Sequence, residues 1–459
     1  MSPTPEQGTP ATTSAGPIAR IHEARGFIRR TLTWNRLFRA TSYLKSALWT
    51  VPLIAIVIEL LTAPWLHALD EWLGWRIAGL AVGGAQALYQ TVITLSLSFL
   101  VFTFGSLLVA IQVAGGQLTP RIIATLLLRD NVVRYSVGLF VFTLVFAVGA
   151  LNRLEQSVHE IVALITGMLG VACIANFLFL IDYAARLLRP VSVVGRVGDE
   201  GLAVIRSVYP DPTRVPDAET WRAQAGLDRR VALHQDKSEI VLAVDVPTLV
   251  VLARRSGGVI EFAQQVGNFV ATDEPLFVLH GGAVAIDDRR LRAAVAFGSE
   301  RTLEQDPMFV FRILVDIALK ALSPAINDPT TAVLALDQVH RLLRVVGKRQ
   351  LHGEIVVDDD RQPRVIFRTP NWEDFVHVAC TEIRACGADN IQVARRLRAM
   401  LEDLVRSLPA HRHAVLQEEL QRLDQTIERL YNLPGDLALA RIPDSQGLGG
   451  SGGRGAGPG

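Results

Sequence analysis

Residues able to do chemistry are sparse in this chain, and the densest group lies between Arg312 and Thr330. Arg312, Asp316 and Lys320 recur every four residues in an otherwise apolar stretch, which puts them on one face of a helix. Pairs at that spacing are mostly surface ion pairs, worth ~0.2–0.5 kcal/mol each. The peptide that follows, Ser323-Pro-Ala-Ile-Asn-Asp-Pro329, has two readings. In one it is a tight connection, with Asp328 capping the next helix and Pro329 at its first position. In the other, Ser323, Asn327, Asp328 and Thr330 converge with that helix N-terminus on a small ion or polar ligand. The charged stripe under them is then a ligand or subunit contact.

A second group sits in apolar surroundings. Glu59 is an acid well inside a long uncharged run, where a carboxylate is costly and marks a proton or cation site. The alternatives are a neutral Glu59 bonded to a neighbouring helix, or one directed to the outer surface. Thr91, Ser98, Gly105 and Gln112 repeat every seven residues, with Thr94 near the same face. Small and weakly polar residues so spaced mark close helix packing, or else line a water-accessible path. Glu59, Thr91, Thr94, Ser98 and Gln112 together form the candidate ion path. Asp182, Arg186 and Arg121 flank the apolar runs and would be the groups of a membrane enzyme, but their types fix no reaction.

The familiar catalytic patterns are missing. The ten histidines are scattered, and His411 and His413, two apart, do not share a helix face. Gly447-Leu-Gly449-Gly-Ser-Gly452 spells G-x-G-x-x-G without the strand and helix that a dinucleotide site needs around it, so it is a coincidence. The sequence therefore implies no catalytic residue, no metal site and no cofactor.

The elements that must position these residues fall into two halves. Four apolar stretches run over about Ala47–Leu66, Thr91–Ala114, Val132–Leu151 and Ile161–Leu180. Each holds roughly 20 residues, enough at ~1.5 Å per residue to cross a hydrocarbon core of ~30 Å. Half of all residues are hydrophobic, yet 20% are charged and mean hydropathy is +0.29. That balance fits a membrane domain fused to a water-soluble one. A net charge of +1 gives no reason to expect nucleic acid as a partner. Cys173, Cys380 and Cys386 have no paired spacing, which suits reduced thiols in a cytosolic compartment.

Arginine bias sets the orientation. Arg20, Arg25, Arg29, Arg30, Arg36, Arg39 and Lys45 precede the first span; Arg121, Arg129 and Arg134 lie between the second and third. Arg186, Arg189 and Arg196 follow the fourth, whereas the other two loops are neutral or acidic. Both termini are expected in the cytoplasm. The first 43 residues hold no short apolar run ending in a cleavage site, so the first span serves as an uncleaved insertion signal. Residues 73–88, with Gly83-Gly84, read as an outer-surface helix, an extension of span two, or a fifth span.

The fold class expected is an α-helical membrane domain of four transmembrane helices plus a cytosolic α+β region. Residues 1–43 form a basic segment and 44–190 the spans. Residues 191–305 form a small β-rich module, with strands such as Glu239–Val244 and Pro275–Leu279 closely spaced as in a small barrel or sandwich. Residues 306–440 are mainly helical, opening on the Asp-Pro pairs 306–307 and 328–329 and holding a hairpin over 353–367. Residues 441–459 are Gly-rich and expected to be disordered.

Two peptides carry a family resemblance. One is Gln117-Leu-Thr-Pro-Arg121 followed by Leu128-Arg129-Asp130; Thr119, Pro120 and Arg121 form its centre, with Thr119 where serine is expected. The other is Glu304-Gln-Asp-Pro307 followed by Leu314 through Ala332. With four spans and a cytosolic half, these resemble the bacterial DUF2254 family of predicted membrane proteins, over about residues 40–435. The resemblance implies a bacterial inner-membrane location and no catalytic residues. The leading expectation is a homo-oligomeric channel or transporter-like protein gated by its cytosolic domain; the alternative is a membrane-anchored sensor or regulator binding a ligand or protein through that domain.

Overall fold

The computed structural model describes residues 34–47, 49–73, 79–117, 130–154, 158–187, 189–209, 228–351 and 355–450. The chain opens with helix α1 (Trp34–Ser46), then four apolar helices: α2 (Thr50–Leu73), α3 (Val82–Gln117), α4 (Asn131–Asn152) and α5 (Glu160–Leu187). Among the described residues three helices are long and apolar enough to cross a membrane: α4, α5 and the Val82–Gln112 part of α3. The helix of the first predicted span is apolar over the shorter Thr50–Leu66. Val82–Leu88 belongs to the same unbroken helix as span two, which is the extension alternative for that stretch.

Helix α4 is the centre of this bundle. Helix α2 packs on it from one side, α3 and α5 from others, and α2 meets α5 only lightly. Small residues set the crossings: a Cβ on Gly138 would lie 2.7 Å from Val51 Cγ1, and one on Gly170 2.9 Å from Val92 Cγ2. Outside, the bundle presents Leu97, Val101, Leu108, Leu164, Met168 and Leu178, all exposed. So wide an apolar belt is stable only against lipid or another apolar surface.

Helix α6 (Pro190–Val208) leads out of the bundle. This segment lies in the region expected to be strand-rich, and it is a helix because its apolar residues follow a helical period. Val193, Val194, Val197, Gly198, Gly201, Val204 and Ile205 form one buried face. That face packs on α9 (Pro307–Ala321) and α10 (Pro329–Val346). Gly201 lets Val310 and Leu342 approach so closely that a Cβ would meet them at 2.4 and 3.1 Å.

The strands are β1 (Arg229–Leu233), β2 (Glu239–Val244), β3 (Gly258–Phe262), β4 (Phe269–Val270), β5 (Pro275–Gly281) and β6 (Val295–Gly298). Helices α7 (Val246–Ser256) and α8 (Asp288–Ala293) lie between them. They build two sheets, β1-β5-β3-β8-β7 and β4-β2-β6, whose inner residues Val241, Ile260, Phe277, Val295 and Val365 share one core. Strands β7 (Ile355–Val357) and β8 (Pro363–Phe367) form the expected hairpin, yet β8 joins the first sheet by pairing parallel to β3. The sheet region therefore draws on 306–440 as well as on 191–305.

The helical core is completed by α11 (Trp372–Gly387), α12 (Ile391–Ser407), α13 (His413–Leu430) and α14 (Pro434–Ala440). Residues 441–450, expected as part of a disordered tail, are instead tied to α12. The buried Arg395 guanidinium donates to the carbonyls of Ile442 (2.9 Å), Gly449 (3.1 Å) and Gly450 (2.6 Å). Asp444 accepts from the backbone N–H groups of Gln446, Gly447 and Gly449. Glycine serves here because Gly447 and Gly449 adopt φ of +71° and +78°.

Candidate functional site

Three of the aspartate-capped helices carry a proline in their first turn, and comparing them isolates one unusual carboxylate. Asp245 caps α7 and Asp328 caps α10, each with one oxygen accepting a backbone N–H. Three residues on, Thr248 and Thr331 supply hydroxyls that satisfy the second oxygen, both at 2.5 Å. Asp306 caps α9 through Oδ1, which accepts Phe309 N–H at 3.0 Å, but Phe309 has no hydroxyl to give. Its Oδ2 accepts no hydrogen bond, with Arg301 Nη1 3.8 Å away. Asp306 is 3% exposed, and burial pushes its carboxyl up from 3.8 to about 6 against the pull of the Phe309 N–H and the Arg301 charge. A buried acid so perturbed is a functional candidate.

The residues beside it tie the molecule together. Glu304 Oε1 accepts Ser42 Oγ from α1 at 3.0 Å, and Gln305 Oε1 accepts Val244 N–H at the end of β2, also at 3.0 Å. Glu304, Gln305, Asp306 and Pro307 form one wall of a cavity of ≈ 350 Å³. Its other walls are Ser207, Val208 and Tyr209 at the end of α6, Val246 and Pro247 opening α7, Phe262 and Val266, and Phe367–Pro370. Apolar walls with a few fixed polar groups are the usual make-up of a small-molecule site. Among the described residues no cluster of His, Cys, Asp and Glu could hold a metal.

The start of α6 is anchored to the bundle. Asp130 caps α4, its Oδ1 accepting the N–H groups of Val132 and Val133. Its Oδ2 accepts Tyr183 OH from α5 at 2.6 Å and Arg196 Nη1 from α6 at 2.7 Å. Arg196 Nη2 also donates to Tyr183 OH at 2.8 Å, closing a triangle over three helices. The Asp130 side chain is 5% exposed and Arg196 35%, so the carboxylate is shielded from water while the guanidinium is partly solvated.

The residues singled out from sequence are not brought together. Glu59 is buried in the bundle on α2, 3% exposed, where a Cβ on Gly149 of α4 would lie 3.2 Å from its Oε1. Thr91, Thr94, Ser98 and Gln112 are exposed on α3, facing away from the bundle. The hydroxyls of Thr91, Thr94 and Ser98 turn back to the carbonyls of Ala87, Gln90 and Thr94. Glu59 lies where α2 packs on α4, whereas the α3 stripe is exposed, so the two are not side by side within one chain. Other polar groups are buried in the bundle besides Glu59: Cys173 donates to Thr143 Oγ1 at 3.3 Å and Ser136 to Asn176 Oδ1 at 3.1 Å.

At the Ser323–Pro329 loop, Ser323 Oγ donates to Lys320 O, Asn327 takes a positive φ of 48° and Asp328 is spent on its cap. Thr330 is exposed, and the four side chains do not converge. Arg312 bridges Asp316 on its own helix and Glu382 of α11, so this part of the stripe is a cross-helix ion pair. Asp182 pairs with Arg186 one turn on, in an exposed position. Thr119, Pro120 and Arg121 lie outside the described residues.

An apolar bundle whose last helix leads through anchored α6 into an α+β body, with α1 and α3 also touching that body, is the build of a membrane protein carrying a domain outside the bilayer. The chain belongs to the DUF2254 family, described as predicted membrane protein, whose match covers residues 45–403. It is 25% identical to the uncharacterized proteins Mb1321c of Mycobacterium bovis and Rv1290c of Mycobacterium tuberculosis over 443 residues. That alignment covers 91% of this chain and 84% of each relative. No solved structure matches it.

Proposed function

We propose that this chain is a non-catalytic, membrane-anchored sensor or regulator that binds a small ligand in the Glu304–Pro307 cavity. The observation that carries the reading is that one helix touches both ends of the task. Helix α6 starts at the Asp130–Tyr183–Arg196 triangle against the bundle and ends at Ser207–Tyr209 in the cavity wall. A ligand preferring one position of that helix end biases the position of the spans by its differential affinity. In this reading α2 is a fourth crossing, and the protein sits in the bacterial inner membrane with both termini in the cytoplasm.

A second reading has one observation in its favour. Thr91, Thr94, Ser98 and Gln112 face outward, so several copies side by side would turn them toward one another and frame a conducting path. Such a channel or transporter-like assembly needs oligomers, and Glu59 then serves packing rather than conduction.

Thermal shift of the full chain in detergent against ions, nucleotides and other small metabolites separates the two. A ligand that raises the melting temperature of wild type but not of Ser207→Trp, which fills the cavity from its exposed rim, supports the sensor. No shift with any compound, together with ion flux in liposomes that Ser98→Trp abolishes, would replace it with the channel.

A further inference from the structure

We infer that a second cavity, inside the apolar bundle and independent of the cytosolic one, holds an acyl chain of a membrane phospholipid. It measures ≈ 240 Å³ and lies between the second half of α3, the first turn of α4 and the end of α5. Phe102 and Phe177 wall it, Leu187 lies toward α6, and small Ala110 and Ala184 leave it open where larger side chains would close it. Its polar side chains are Ser106, whose hydroxyl is given to the Thr103 carbonyl, and Thr103, whose buried hydroxyl is unpartnered; that is one polar group, fewer than a water needs.

Position and chemistry favour a lipid chain over water. A cavity with apolar walls does not hold water, which needs two to four polar partners, and engineered cavities of this kind take apolar guests. The lips carry exposed Phe102 and Ile181, part of the same outward apolar belt that a bilayer covers. Leu187 ends α5, and exposed Arg186, paired with Asp182, and Arg189 mark the level where the apolar belt gives way to charge. An anionic phosphate there would sit beside a cation while its chain runs back into the cavity. Leu187 also belongs to the cytosolic helical core, and Tyr183 of the anchoring triangle precedes it by one turn. The seated chain thus props the junction between spans and α6.

The test uses the full protein in vesicles of phosphatidylethanolamine and phosphatidylglycerol, the latter carrying a diazirine in the middle of one acyl chain. After irradiation and digestion, wild type is expected to show adducts concentrated in residues 102–110 and 177–187. Ala184→Phe and Ala110→Leu, filling the cavity from opposite walls, should reduce those adducts to the level of the surrounding belt. Adducts spread evenly over outward residues such as Val101 and Leu164 would overturn the inference. So would their absence from the cavity in oligomers whose neighbouring copy seals it. Should both variants fail to fold, the wild-type adduct map decides alone.

Discussion

Replacing Asp306 by asparagine should make the protein more stable at neutral pH, against the usual effect of altering a buried polar residue. The asparagine carbonyl still accepts Phe309 N–H as a cap, while the charge that burial disfavours is gone. In the folded protein the carboxyl titrates at about 6 instead of 3.8, so ionising it costs about 3 kcal/mol at ~1.4 kcal/mol per pH unit. The sign follows from proton counts. Between those values the folded state holds more protons than the unfolded one, so wild-type stability falls as pH rises from about 4 to about 6 and then levels off. Asp306→Asn has no such slope. Its advantage should reach about 3 kcal/mol near pH 7.5, shrink to roughly half of that at pH 5, and vanish below pH 4. Thermal unfolding in detergent, followed by tryptophan fluorescence, reads it; Trp372 is fully buried in the helical core and reports on that body. A gain of about 3 kcal/mol corresponds to several degrees in Tm. A variant less stable than wild type at pH 7.5, or one whose advantage is the same at pH 5, would refute the reasoning. The same substitution should abolish any ligand-induced shift that depends on a carboxylate, since stability gained at a binding residue is commonly function lost.

Other sites give sharper yes-or-no outcomes. Asp130→Ala removes the α4 cap and leaves Arg196 without its carboxylate, so a loss of about 2–4 kcal/mol is expected in thermal or denaturant unfolding; an unchanged Tm would mean the triangle is incidental. Gly201→Val places methyl groups into Val310 and Leu342 and should detach α6 from α9 and α10, seen as faster proteolysis within 190–209. Ending the chain at Arg441 strips the carbonyl partners from buried Arg395 and should cost about 3 kcal/mol or more, whereas a truly disordered tail would cost nothing.

Much of the fold is legible because it rests on local rules. The apolar runs, the Asp-Pro caps at 306 and 328, the stop of α7 at Gly257 and the 355–367 hairpin all follow from spacing and turn chemistry within a few residues. What stays hidden is non-local. The parallel pairing of β8 with β3 joins segments about a hundred residues apart, and no local pattern announces it. The cavity is hidden for the same reason, its walls coming from 207–209, 244–247, 262–266, 304–307 and 367–370. One signal was available: Asp-Pro-Thr-Thr at 328 offers a hydroxyl at the third helical position, and Asp-Pro-Met-Phe at 306 does not. Residues 441–450 mislead because glycine content looks like disorder, whereas Asp444 with downstream glycines builds a tight turn that a buried arginine holds. The polar stripe on α3 has the period read from sequence, but periodicity cannot tell which way a helix face points.

Communication between the Glu304–Pro307 cavity and the apolar bundle through α6 is tested directly by linkage. The measurement is the Kd of a ligand found by thermal shift, compared between wild type and Arg196→Ala in the full-length protein. Arg196 lines no part of the cavity, so it touches the ligand only through the helix. The account predicts a change of about 5- to 150-fold, the range of coupling energies of ~1–3 kcal/mol. An identical Kd in a folded Arg196→Ala protein would contradict it.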